Sequence, residues 1–100
     1  MIQIKKGASF RLALQFESQE EWDSLFPAEY AISQIEIEGS SFDLEVSVDS
    51  LSRCIYLKGD TEEWPLGSGA FDVKVINGDL IQTLPELTNI EVEVLEGITQ

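Results

Sequence analysis

The chain has 100 residues, 43% of them apolar, which is the size and balance of one globular domain with one core. It carries 19 Asp and Glu against 6 Lys and Arg, a net charge of −13, and so disfavours nucleic acid and anionic membrane surfaces as electrostatic partners. With no histidine and one cysteine, every His-based triad, every His-containing zinc site and every internal disulfide is excluded.

In chain order, Met1 to Gly7 lacks the apolar segment of a signal peptide, and no stretch reaches the roughly 20 apolar residues of a membrane span. The product is therefore expected to be cytosolic when made. Ile2 and Ile4 open the chain with a short strand. Phe10, Leu12, Leu14 and Phe16 alternate with Arg11, Ala13 and Gln15, which places four large apolar groups on one face of a core strand. From Ser18 the pattern changes: a capping residue is followed by Trp22, Leu25 and Phe26 at helical spacing, so one to two helical turns are expected before Pro27. Ile35 and Ile37, then Phe42, Leu44, Val46 and Val48, alternate with polar residues on either side of Gly39-Ser40-Ser41 and read as a hairpin.

Arg53 to Leu57 is a further strand, with Cys54 and Tyr56 on one side and Ile55 and Leu57 on the other. No imidazole exists to activate Cys54, which reads as an inert, buried or half-buried thiol. Asp60 or Thr61 can cap a single turn that Pro65 stops, folding Trp64 back onto the core. Gly67-Ser68-Gly69 has no following lysine or helical pattern and reads as a turn rather than a phosphate loop. Phe71, Val73 and Val75 form another alternating strand, and Asn77-Gly78 leads into Leu80 to Leu84 as a type I′ hairpin. Ile90, Val92 and Val94 make the last strand. Asp60 to Glu63 and Asn77 to Asp79 lack the spacing of a calcium loop, so no metal and no other cofactor is expected.

About seven or eight short strands with turns every ten residues or so have the rhythm of an immunoglobulin-like antiparallel β-sandwich, with a small barrel as the competing all-β answer. Residues 1–100 are expected to form a single domain of this kind, with one or two short helical turns.

Three stretches taken together add a likeness. Ile4-Lys5-Lys6-Gly7-Ala8-Ser9-Phe10, Gly59-Asp60-Thr61-Glu62-Glu63-Trp64-Pro65-Leu66-Gly67, and Phe71-Asp72-Val73-Lys74-Val75 with Asn77-Gly78-Asp79 resemble the small Ig-like structural domains of tailed bacteriophages. The chain is most similar to the N-terminal domain family of the phage baseplate upper protein. It departs from that pattern at Gly7-Ala8, where such members often have Gly-Asp, and in a longer segment from Glu17 to Tyr30. The resemblance implies a non-enzymatic structural or adaptor protein of the virion, located at the baseplate, fibre attachment, neck or capsid surface. Its partners would be other virion proteins in a symmetric homo- or hetero-oligomer, with no nucleic acid, membrane or small-molecule substrate.

Trp22, Phe26, Tyr30 and Trp64 are the candidate partner-binding residues, since Trp and Tyr are enriched at interface hot spots, while core plugs at the open ends of the sheets are the alternative. Acidic residues at Glu36, Glu38, Asp43, Glu45, Glu91 and Glu93 read as a solvated sheet face that blocks edge pairing. The terminal segments, Met1 to Lys6 and Leu95 to Gln100, could add a strand to a neighbour's sheet. Two other functions compete with the adaptor. A nucleic-acid-mimicking inhibitor would gather its acids in one stripe, and a carbohydrate-binding module would need two coplanar exposed aromatics, which buried Trp22 and Trp64 could not provide.

Overall fold

The alternating runs become eight strands around one short helix: β1 (Ile2–Lys5), β2 (Ser9–Gln15), α1 (Gln19–Leu25), β3 (Tyr30–Ile37), β4 (Ser40–Asp49), β5 (Cys54–Asp60), β6 (Gly67–Asn77), β7 (Leu80–Leu84) and β8 (Ile90–Leu95). These elements belong to a computed structural model that describes residues 1–26, 28, 30–85 and 89–97. Pro27, expected to end the helix, and the last three positions of the C-terminal segment lie outside the described residues.

The strands form one mixed sheet in the order β1-β8-β6-β3-β4-β5-β2, with β7 beside β6. Its path bends at β4. The first half of β4 pairs with β3, from Ile37↔Ser40 to Ser33↔Leu44, and the second half pairs with β5, from Glu45↔Lys58 to Asp49↔Cys54. Ten residues at roughly 3.3 Å each thus carry the chain from its pairing with β3 to its pairing with β5. β6 is flanked on one side by β3 along most of its length, and on the other by β8 at Gly67–Phe71 and β7 at Val73–Asn77. The expected antiparallel pairing holds for every pair but β1 with β8, which run parallel from Ile2↔Val92 to Lys5↔Leu95.

The path nearly closes into a barrel because its two end strands, β1 and β2, are consecutive in the chain. Thr61 fastens the seam between the β1–β2 connection and the end of β5: its Oγ1 donates to the Ala8 carbonyl at 2.6 Å and accepts from the Gly7 N–H at 2.8 Å. Thr61 is therefore not the helix cap that its position in the sequence suggested. A single turn forms instead, with the Trp64 N–H bonded to the Thr61 carbonyl at 3.1 Å and the Glu62 N–H to Asp60 Oδ1 at 3.1 Å.

Inward-facing residues build the core: Phe10, Ile35, Ile37, Leu44, Ile55, Leu57, Phe71, Val73, Val75, Val92 and Val94 are buried. The two tryptophans fill opposite ends. Ser18 caps α1, accepting from the N–H groups of Glu20 and Glu21, and the helix lays Trp22 against Phe16 at 5.4 Å and Phe26 at 4.3 Å. At the other end Trp64 packs near Phe10 at 5.8 Å and Phe42 at 6.2 Å.

The ring of Trp64 fits only because Gly59 has no side chain. A Cβ there would lie 2.8 Å from both Leu44 Cδ2 and Trp64 Cζ2. Gly59→Ala is expected to destabilise the protein by about 1–3 kcal/mol through overpacking, read as a lower urea midpoint. An unchanged midpoint would show that the ring has room to move.

Both hairpins differ in register from the sequence expectation. Between β3 and β4 the turn residues are Glu38 and Gly39, with φ of 47° and 85°, rather than Gly39-Ser40-Ser41. This is the type I′ pattern of two positive φ angles. Glu38 is held in it by Ser68, whose N–H donates to Glu38 Oε1 at 2.8 Å. Between β6 and β7, Asn77 pairs with Leu80, so the tip is Gly78-Asp79 and only Gly78, at φ 62°, is left-handed. That is the signature of a type II′ turn, not the type I′ turn that Asn-Gly suggested.

Candidate docking face

Side-chain alternation decides where each candidate residue points. Trp22, Phe26 and Trp64 are buried, at 2%, 8% and 1% exposure, so their rings serve the core and are not presented to a partner. The physical reason is the open ends of the sheet, where only a bulky aromatic fills the gap. Tyr30 alone of the four is on the surface, at 53%. With both tryptophans inside, the pair of coplanar exposed rings that a sugar-stacking surface needs is not formed by them.

Tyr30 does not stand alone. Residues directly opposite one another in a sheet share a face. Tyr30 pairs with Ile76, and Ile76 with Ile81, so the three form one outward row across β3, β6 and β7. The next outward row is Ile32, Lys74 and Thr83. Ile32 and Ile81 are 46% and 59% exposed. In a chain with 19 acidic residues, these six outward positions carry one lysine and no carboxylate. Acids return on both sides, at exposed Asp79 in the β6–β7 turn and in the following row, where Asp43, Gln34 and Asp72 stand side by side.

Sequence reading missed Ile32, Ile76 and Ile81. The first half of β3 carries its large apolar groups on the outer face and Ala31 and Ser33 on the inner one, so the alternation from Ile35 onward changes phase there. Ser33 is nevertheless buried, its Oγ donating to the Asp72 carbonyl at 2.5 Å. An apolar residue followed two positions later by another, out of phase with the core, was the signal available.

Two grooves mark the surface, of which the first borders this region. One, of about 540 Å³, opens where β4 leaves β3 and is lined by Ala31, Ile32, Ser33, Leu44 and Val46, with Asp43, Asp72 and Lys74 among its polar groups. The other, of about 610 Å³, lies over β2, β5 and β4, where Tyr56 sits between Ala13 and Ser47 and Lys58 between Arg11 and Glu45. Glu36, Glu38, Asp43, Glu45 and Glu91 are exposed as expected, and Glu93 is half-buried. Cys54 is buried, its Sγ 3.5 Å from the Ser52 carbonyl. Among the described residues, no three His, Cys, Asp or Glu side chains gather to hold a metal ion. Nor is any helix among the described residues long and apolar enough to cross a membrane.

No family model matches the sequence, and neither does any curated protein. Among solved structures, the fold is similar to part of the endo-β-1,4-mannanase from Thermotoga petrophila, with a TM-score of 0.57 at 14% identity over 96% of this chain. It is also matched to part of an internalin-like protein of Listeria monocytogenes, with a TM-score of 0.48 at 14% identity over 94% of this chain. This chain spans 18% of the mannanase chain and 26% of the internalin-like chain. At such identity the first likeness is one of fold: an all-β unit of about a hundred residues that a larger polypeptide can carry as one of its parts.

Proposed function

We propose that this chain is a non-enzymatic adaptor of a tailed-phage virion, an Ig-like domain that docks on other virion proteins through the outer tip of β3, β6 and β7. The observation that carries the reading is the acid-free apolar surface of Tyr30, Ile32, Ile76 and Ile81 on a protein of net charge −13. In the neighbouring row Asp43 and Asp72 keep the sheet face solvated; here carboxylates are withheld and large apolar groups are exposed, which is the composition of a surface meant to be covered. The Ig-like reading is supported by the strand order. β2, β5 and the second half of β4 form one layer, and β3, β6 and β8 the other, the grouping of an Ig domain's two sheets. The phage assignment rests on the resemblance of Ile4–Phe10, Gly59–Gly67 and Phe71–Asp79 to baseplate domains.

The docking reading is tested by the double variant Tyr30→Asp with Ile81→Asp. Both residues are more than half exposed, so thermal stability is expected to change little, by about 0.5 kcal/mol per site. Incorporation into density-purified phage particles, measured by quantitative mass spectrometry, is expected to fall at least about tenfold, the effect of roughly 1.4 kcal/mol lost at an interface. Wild-type protein missing from particles would sink the virion assignment. A double variant incorporated at the wild-type level would sink this choice of face.

A further inference from the structure

The groove where β4 parts from β3 is bounded by two strand edges that lack neighbours. Among the described residues, β3 pairs with β4 only from Ser33 onward, leaving Tyr30–Ile32 with β6 alone, and β4 from Glu45 to Asp49 pairs with β5 alone. The direction of the backbone groups follows from the hairpin. In a two-residue hairpin the pair that closes the turn, Ile37↔Ser40, exchanges both hydrogen bonds, and bonded pairs then alternate along the ladder. Ser40, Phe42 and Leu44 therefore aim their N–H and C=O groups at β3. Continued along the strand, the same alternation turns the backbone groups of Val46 and Val48 to the side that β3 no longer occupies.

The side chains carry the same message. Val46 and Val48 pair with Leu57 and Ile55, both buried, and so belong to the inward-facing set. Val48 is nevertheless 42% exposed, because no strand covers it on that side. Among the groove's lining residues, Asp43, which accepts from Gln34 Nε2 at 2.8 Å, and Asp72 stand against one cation, Lys74, while the neighbouring Glu45 is opposite Lys58 in the ladder.

We propose that this groove receives an extended, basic segment of another virion polypeptide, added as a strand along the Val46–Val48 edge of β4. The occupant is specified by the chemistry of the edge. Main-chain groups bond to Val46 and Val48, alternate apolar side chains cover the two valines, and the Lys or Arg residues between them face the acidic side of the groove at Asp43 and Asp72. A neutral strand would complete the ladder without this attraction, and an acidic one would be repelled by Asp43, Asp72 and the net charge of −13. The inference rests on the adaptor reading for the source of the segment, while the groove itself is defined by the pairing alone.

The probe is a capped seven-residue peptide alternating Arg or Lys with Val, titrated into isotopically labelled full-length protein and followed by amide NMR. Shifts are expected at Ala31 and from Leu44 to Asp49, with affinity falling about three- to tenfold as salt rises from low to physiological strength. The Val48→Lys variant places a cation where an apolar side chain should pack and is expected to weaken binding at least about tenfold, with its spectrum otherwise that of a folded protein. A peptide with Glu in place of the basic residues is expected not to bind. Shifts scattered over Glu36, Glu91 and Glu93, or equal binding to Val48→Lys, would reduce the effect to general attraction by an acidic protein and overturn the proposal. Normal entry of Val48→Lys into phage particles would overturn the groove as a docking site but leave the adaptor reading standing. Specific peptide binding by a protein absent from particles would do the reverse.

Discussion

Replacing Trp64 by alanine is expected to lower stability by about 3–5 kcal/mol, the range for truncating a large buried aromatic. The ring is 1% exposed and is flanked by Phe10 and Phe42, with Phe10 in turn edge-on to Phe71 at 5.8 Å. Its removal would open a cavity at one end of the sheet, between strands whose hydrogen bonds hold them apart and prevent collapse. A domain of this size has a total stability of about 5–15 kcal/mol, so the variant would retain little margin. Chemical denaturation followed by far-ultraviolet circular dichroism reads the effect, since Trp22 preserves a second fluorescent reporter at the other end. A Trp64→Ala protein with the wild-type midpoint would refute the packing described here.

The second large effect is expected at Thr61. Thr61→Val keeps the shape and removes the hydroxyl that receives the Gly7 N–H and donates to the Ala8 carbonyl. Thr61 is buried but Gly7 and Ala8 are exposed, so water can take over their freed backbone groups; each lost hydrogen bond costs about 0.5–1.5 kcal/mol, and a loss of about 1–3 kcal/mol is expected. Thr61→Ser retains both hydrogen bonds and gives up one methyl, at about 1 kcal/mol. Equal losses for the two variants in urea denaturation would mean that the methyl, not the hydroxyl, holds the seam.

These two residues also show how unevenly the fold was legible in the sequence. Trp64 could be placed in the core because it follows an acidic turn and precedes a proline, and such a segment must fold back. The paired role of Thr61 could not be read, since its partners lie more than fifty positions away and nothing local marks them. The strands with strict alternation, such as Phe71 to Val75 and Ile90 to Val94, were plain, because burial on one face and water on the other impose a period of two. The beginning of β3 was hidden for the opposite reason: its outer face is apolar, so the contrast that marks a half-buried strand is missing. The Gly67–Ala70 start of β6 was hidden too, because Gly69 approaches the β3 backbone so closely that a Cβ would lie 2.4 Å from the Glu36 carbonyl oxygen. A residue chosen for close approach looks, in a sequence, like a turn.

For the candidate site the same logic runs in reverse. Trp22, Phe26 and Trp64 attracted attention by residue type and proved to be structural, whereas Ile32, Ile76 and Ile81 became a surface only once the register placed them with Tyr30. Residue type alone marks what can make a good contact. Register decides which residues are available to make one.

The parallel pairing of β1 with β8 has a consequence in time. Residues 2–5 are made before their partners at 92–95, so during synthesis β1 waits unpaired while residues 6–91 emerge. The hairpins of β3 with β4 and β6 with β7 close over two-residue turns and need no such wait. Contacts between distant positions form slowly because a long loop must be closed before they are rewarded. The nascent domain thus passes through a stage in which β8 has an open edge where β1 belongs. Where several copies of the chain fold close together, the speed with which each one captures its own β1 sets how often it pairs with a neighbour's instead.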